Sequence, residues 1–241
     1  MNEFDLLRYN GFVPVDRAYH FHAIQINDKL SYEYKKTESG MEYCIIRNIL
    51  KNPDDFMHFI KKHPAFGGSI KVSSPGFRQL FSPIEFNPIM QIYSFVHAKL
   101  HNVQQPTVNK WVCCSNIYYD GMTGNPKPHN DGTTSAANLW LSNSMYDAGT
   151  AFYKMHLDGK TYYNSNELTP EAFHILLKNA RDQEQWYAFD KDEHWEKYDI
   201  IPAEYNSAVI YNGQYFHNAY YDPKKYNEHI IRYSFVSFLQ P

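Results

Sequence analysis

The apolar positions fall into short runs with two different periods. Residues 1–50 read as strands and turns, and Tyr43, Cys44, Ile45, Ile46 and Ile49 make a compact run before Asn52-Pro53, bounded as a buried strand is. Asp54 and Asp55 then open a segment in which Phe56, Phe59 and Ile60 recur at helical spacing, ending near His63-Pro64. Residues 65–81 are rich in Gly, Ser and Pro and predict a loop. A second helix is predicted from Asn87-Pro88, with Asn87 as N-cap and Pro88 at the first helical position. It carries Ile89, Ile92, Phe95, Val96 and Leu100 near a 3.6 period and should stop before Pro106.

From Trp111 the character changes to strands. Trp111 to Tyr119 predicts one, followed by a turn from Gly121 to Pro128. Ala136 to Leu141, Ala151 to Tyr153, Ala208 to Tyr211, Tyr215 to Ala219 and Ile230 to Leu239 predict others. Residues 155–200 read as an insertion with one helix, Pro170 to about Ala180, and an acidic, aromatic tract containing Trp186, Tyr187, Phe189, Trp195 and Tyr198. Helices come early and strands late, which predicts α+β architecture, mainly β, with an antiparallel sheet. No repeat or linker divides the chain, so residues 1–241 are expected to form one domain. Residues 1–110 would support a core at 111–239.

Composition narrows the functions. Lys and Arg number 23 against 26 Asp and Glu, so broad phosphate neutralisation of the kind nucleic-acid binders use is not expected. No apolar stretch approaches the roughly 18 residues that a membrane span needs, and the N-terminal sequence lacks the pattern of a secretory leader. Three cysteines, two of them adjacent, are no disulfide framework. Cys113 and Cys114 on one strand would face opposite ways. A reduced, cytoplasmic setting is the expectation.

Candidate chemistry centres on Pro128-His129-Asn130-Asp131. With 12 His and 14 Asp in 241 residues, His-x-Asp arises roughly 0.7 times by chance, so the motif alone would be an ordinary surface pair. On extended backbone, however, residues i and i+2 share a face and can reach one metal. His217, in Tyr215-Phe216-His217-Asn218, supplies a third ligand on a later strand, and Arg232 and Ser234 share a face of the last one. Two His and one carboxylate leave three metal positions open, which suits ferrous iron working with O₂ and a second ligand. A structural zinc would fill four positions with protein groups, and a catalytic zinc would leave Arg232 without a task. Arg232 is a fixed fork of donors suited to a carboxylate. His20-x-His22 lacks a convincing partner, and Asp192-Glu193-His194 with Glu196 reads as a solvated cluster.

The order His129-x-Asp131, His217, Arg232 resembles the 2-oxoglutarate and Fe(II)-dependent dioxygenase superfamily, nearest its prolyl 4-hydroxylase-like branch and a bacterial and phage group within it. Asn116-Ile117-Tyr118-Tyr119-Asp120-Gly121 leads into the His-x-Asp as a Tyr-bearing strand does in that branch. Ala148-Gly149-Thr150-Ala151-Phe152 is similar to its Gly-Gly-x-Thr-x-Phe strand, with Ala in place of the first Gly. The resemblance spans roughly 111–239 and implies a double-stranded β-helix (jelly-roll) with supporting N-terminal helices. It implies that His129, Asp131 and His217 bind Fe(II), that Arg232 holds the distal carboxylate of 2-oxoglutarate, and that Ser234, Tyr118 and Asn116 assist. O₂ would be the oxidant, succinate a product, and the substrate an amino acid, peptide or other small molecule hydroxylated at a C–H bond. The carboxylate of Asp131 favours hydroxylation over halogenation, since halogenating relatives carry a small residue there. Two other classes stay open: a non-catalytic jelly-roll binding module, and a cupin-type metalloprotein that needs no keto acid. The insertion could form a lid or cover a sheet face, and the oligomeric state is open.

Overall fold

The computed structural model describes residues 24–62, 66–67, 77–118, 128–142, 148–174, 194–221 and 232–240. The strands are β1 (Ser31–Lys36), β2 (Glu42–Arg47), β3 (Phe66–Gly67), β4 (Phe77–Phe81), β5 (Trp111–Tyr118) and β6 (Ser135–Trp140). They continue as β7 (Ala148–Leu157), β8 (Lys160–Tyr162), β9 (Trp195–Pro202), β10 (Ser207–Tyr211), β11 (His217–Tyr221) and β12 (Arg232–Leu239). Two helices, α1 (Pro53–Lys62) and α2 (Asn87–His101), precede β5.

Eight strands form a large antiparallel sheet in the order β1-β2-β10-β6-β12-β5-β4-β3. The small sheet runs β11-β7-β8, with β9 also paired to β7. After β6 the chain crosses to the small sheet for β7, β8 and β9, returns for β10, crosses again for β11 and returns for β12. Because the large sheet is covered on both faces, its central strands are apolar at successive positions, and every residue of β6 and β10 is buried. That is why they read as runs and not as alternations.

The outer face of the large sheet packs on the helices. Phe56, Phe59 and Ile60 of α1 and Ile89, Met90, Tyr93 and Val96 of α2 join Cys44, Ile46, Cys113, Leu139 and Phe235. Asp54 and Asp55 occupy the first turn of α1, where carboxylates favour the helix N-terminus. Asn87 is not the cap of α2 but lies within it; a 3₁₀ turn at Pro83–Phe86 leads in, and Phe86 holds the cap position. Phe95 turns outward onto Tyr32. The inner face meets the small sheet through Tyr43, Ile45, Cys114, Trp140, Val209 and Val236 from one side and Ala148, Phe152 and Ile201 from the other. Cys113 and Cys114 thus serve opposite cores.

Two expectations are corrected. The Gly- and Pro-rich stretch holds a strand, β4, which pairs with β5 from Phe77↔Ile117 to Phe81↔Cys113. The insertion is shorter than 155–200, because β7 extends to Leu157 and Trp195–Pro202 is a sheet strand. The alternation of β9, Trp-Glu-Lys-Tyr-Asp, had the look of a solvated tract because most of its residues are only half-buried. The predicted helix is present at 170–174. Its remainder, Trp186, Tyr187, Phe189, Asp192, Glu193, the His20-x-His22 pair and the 121–127 turn lie outside the described residues. Among the described residues no helix is long and apolar enough to cross a membrane.

Candidate metal centre

His217 opens β11, and its backbone pairs with His129 through two hydrogen bonds, His129 N to His217 O and His217 N to His129 O, each 2.9 Å. The pairing brings the rings to 4.8 Å between centroids. Two residues on, the Asp131 N–H donates to Gly213 O at 2.9 Å, which turns the carboxylate toward both rings. His217 Nε2 lies 3.1 Å from Asp131 Oδ2, and His129 Nε2 lies 3.6 Å from Asp131 Oδ1. One ligand atom from each residue falls within 4.8 Å of the others. With bonds of about 2.1 Å at right angles, neighbouring ligand atoms would be about 3 Å apart; the two contacts to Asp131 are near that spacing, and the wider pair would draw in around a divalent metal.

The ring of His217 is oriented from behind, its Nδ1 2.9 Å from Tyr215 O. That contact fixes the proton on Nδ1 and aims Nε2 at the cluster. Burial lowers the His217 pKa, but the Asp131 charge, the Asp131 hydrogen bond and the Tyr215 carbonyl together leave it raised. Tyr211 stands edge-on to the same ring at 4.9 Å.

The three residues line an open cleft between the sheets. Asn116 of β5, Asn138 of β6, Thr150 of β7 and Val236 of β12 line it. Beyond them Arg232, 2% exposed, donates from Nη1 to Tyr220 O and from Nη2 to Gly149 O. Gly149 is a glycine for space: a Cβ there would sit 2.1 Å from Ile201 O. Tyr220 is three residues past His217, so about 10 Å of strand separates the metal cluster from the guanidinium.

Of the expected residues, His129, Asp131 and His217 come together, and Asn116 lines the same cleft. Ser234, 1% exposed, faces Asn116 across the β12–β5 pair. Tyr118 pairs with Arg232 in the backbone register, and its side chain is outside the described residues. Sequence reasoning missed Asn138 and Thr150, both of which line the cleft. Asn138 Oδ1, Thr150 Oγ1, Ser234 Oγ and Trp140 Nε1 are buried without a hydrogen-bond partner. Each such group costs about 1–3 kcal/mol, and a polar ligand in the cleft would offset that cost at Asn138 and Thr150, which line it. A polar residue in the otherwise apolar run Ala136–Leu141 was the available signal for Asn138.

Residues 29–229 match the sequence profile of a family described only as a family of unknown function, DUF6445. The chain belongs to the DUF6445 family. A search of the curated proteins finds no match to this DUF6445 sequence. Among solved structures it is similar to SnoK, a non-heme alpha ketoglutarate dependent carbocyclase from nogalamycin biosynthesis, at 10% identity, with 82% of this chain and 79% of that one covered and a TM-score of 0.46. AviO1 from Streptomyces viridochromogenes Tue57 matches at 10% identity over 95% and 97%, TM-score 0.45. A prolyl 4-hydroxylase from Phytophthora capsici matches at 10% identity over 95% and 66%, TM-score 0.45. These likenesses are distant, at 10% identity.

Proposed function

We propose that this protein is an Fe(II)- and 2-oxoglutarate-dependent oxygenase that hydroxylates a C–H bond of an amino acid, peptide or other small substrate. The observation that carries the reading is a two-His, one-carboxylate cluster lining a cleft between the sheets, with a buried Arg232 bonded to the carbonyls of Gly149 and Tyr220, which adjoin the cleft-lining Thr150 and Ala219 in sequence. The cluster's donor set suits ferrous iron, leaving positions for O₂ and a chelating cosubstrate. Arg232 suits a planar carboxylate. The strand span of about 10 Å accommodates a five-carbon dicarboxylate that chelates at one end and meets Arg232 at the other. The chain's passage back and forth between two facing sheets supports a jelly-roll.

In this reading His129, Asp131 and His217 would hold the iron, which when loaded supplies the O₂ chemistry. The protein's own part is positioning. The Tyr215 carbonyl keeps His217 Nε2 aimed at the metal. The Gly149 and Tyr220 carbonyls hold the guanidinium in one plane. Thr150, Ser234 and Asn116 would add hydrogen bonds to the cosubstrate, beside an apolar floor at Val236, Phe238 and Ala136. Arg232 separates this function from a keto-acid-independent cupin-type enzyme, which has no need of it.

The test is anaerobic titration of Fe(II) and 2-oxoglutarate, followed through the visible charge-transfer absorption of the ternary complex. The band is expected in the wild type, absent in His217→Ala and weakened in Arg232→Ala. A folded, metal-loaded wild type without the band would overturn the reading in favour of a binding module or another metalloenzyme.

A further inference from the structure

Two of the three candidate ligands, Asp131 and His217, are held by one short segment, the 212–216 turn between β10 and β11, and the third, His129, pairs with His217. Gly213 O accepts from Asp131 N–H at 2.9 Å. Tyr215 O fixes the His217 ring. The turn ends where His217 makes its paired backbone bonds to His129.

The turn is itself braced. Asn212 Oδ1 accepts from Gln214 N at 2.9 Å, and Asn212 O accepts from Tyr215 N. From outside, Ser165 N donates to Gln214 O at 2.9 Å, Ser165 Oγ bonds Gln214 Oε1 at 2.7 Å, and Phe216 N donates to Tyr163 O. Asn164 bridges Tyr215 in an antiparallel pair, and Asn164 and Glu167 close a capping box that holds this strap in shape.

Gly213 is the tightest point. It is not among the described glycines with positive φ, which are Gly40, Gly132 and Gly159, so a backbone conformation forbidden to other residues is not what requires glycine. Space is. A Cβ at Gly213 would lie 2.5 Å from Thr133 Oγ1, 3.0 Å from Thr133 O and 3.4 Å from Asp131 Cβ. Thr133 cannot simply swing aside without giving up its Oγ1 bond to Ser135 O at 3.2 Å, and its carbonyl is backbone. At Gly40, Gly132 and Gly159, by contrast, a Cβ meets nothing within 4 Å.

We propose that the 212–216 turn, strapped by residues 163–167, is the positioning element of the metal centre, with Gly213 the residue it depends on. The inference rests on the metal reading above. It gives the start of the insertion a task, which is holding the ligand geometry from behind.

The test is Co(II) titration followed by its visible spectrum, with thermal unfolding of each variant alongside. Gly213→Ala is expected to bind Co(II) at least tenfold more weakly, with an altered band shape. Adding Thr133→Ala, which removes the nearest obstructing atom, should recover part of that loss. Gly40→Ala, strained at a φ of 83° but in open space, should lower the melting temperature and leave Co(II) affinity at the wild-type value. Ser165→Ala loses a side-chain bond on the outer side of the turn and serves if Gly213→Ala does not fold; it should weaken Co(II) binding severalfold. Wild-type affinity in Gly213→Ala, or in Ser165→Ala where that variant carries the test, would overturn this inference alone. A wild-type protein that binds no Co(II) or Fe(II) would overturn the metal reading, and this inference with it.

Discussion

Arg232 and His217 pose different problems to the chain. Arg232, 2% exposed, is a fixed fork whose Nη1 and Nη2 donate to the carbonyls of Tyr220 and Gly149. Truncating one partner of a buried charge pair costs about 2–5 kcal/mol. Arg232→Ala is therefore expected to raise the 2-oxoglutarate dissociation constant by about thirtyfold or more while Fe(II) affinity stays put, as calorimetry with each ligand separately would show. Arg232→Lys, a point charge without the fork, should not restore binding. His217 can change its charge. With its pKa raised, the metal-free protein keeps a proton on His217 to higher pH than an ordinary histidine. That proton contributes folding stability below the unfolded pKa of about 6.5, and the contribution is lost as pH rises through the folded pKa. A metal must displace it. Metal affinity should accordingly fall on acidification through the raised pKa, with proton release on binding; a flat affinity between pH 6 and 8 would contradict this.

At the scale of elements, α2 is tied to the large sheet by a polar contact inside an apolar seam. His97 Nδ1 lies 2.8 Å from Ser135 Oγ at the start of β6, and His101 Nε2 lies 3.2 Å from the same oxygen. Burial first, and the neighbouring His101 second, push the His97 pKa down to about 4. The unfolded chain therefore binds the proton more readily. Stability from this contact is full above about pH 6.5 and is lost progressively as pH falls toward 4. His97→Gln, which can bond Ser135 without titrating, should flatten the melting temperature across that window; an unchanged slope would place the acid sensitivity elsewhere. The sequence disclosed α2 through its 3.6 period and β2, β6 and β10 through their apolar runs, because burial on two faces makes these strands apolar at most positions. It concealed β4 behind Gly-Ser-Pro neighbours and β9 behind half-exposed charges. At the site, the two-residue period put His129 with Asp131 and Arg232 with Ser234. The closeness of Gly213 to Thr133 spans about 80 residues of chain, and no local pattern encodes it.

Across the whole molecule, the stability resides in the stack between helices and large sheet. The Phe86 ring lies within 6.0 Å of the rings of Phe56, Phe59, Phe81 and Phe235, centroid to centroid. Phe86→Ala should cost about 3–5 kcal/mol in chemical denaturation and leave the metal affinity of the folded fraction intact, because this core lies on the far face of the sheet from the cleft. β12 has a different importance. It sits between β6 and β5, and in chain order it follows every other described strand. Without it, β1-β2-β10-β6 and β5-β4-β3 are two separate half-sheets, each with an open edge. A nascent chain on the ribosome would carry both edges exposed until residues 232–239 emerge, and these same residues bring Arg232. The strand that closes the sheet thus also delivers the guanidinium proposed to hold the cosubstrate, so a partly synthesised chain has neither a sealed core nor Arg232 in place.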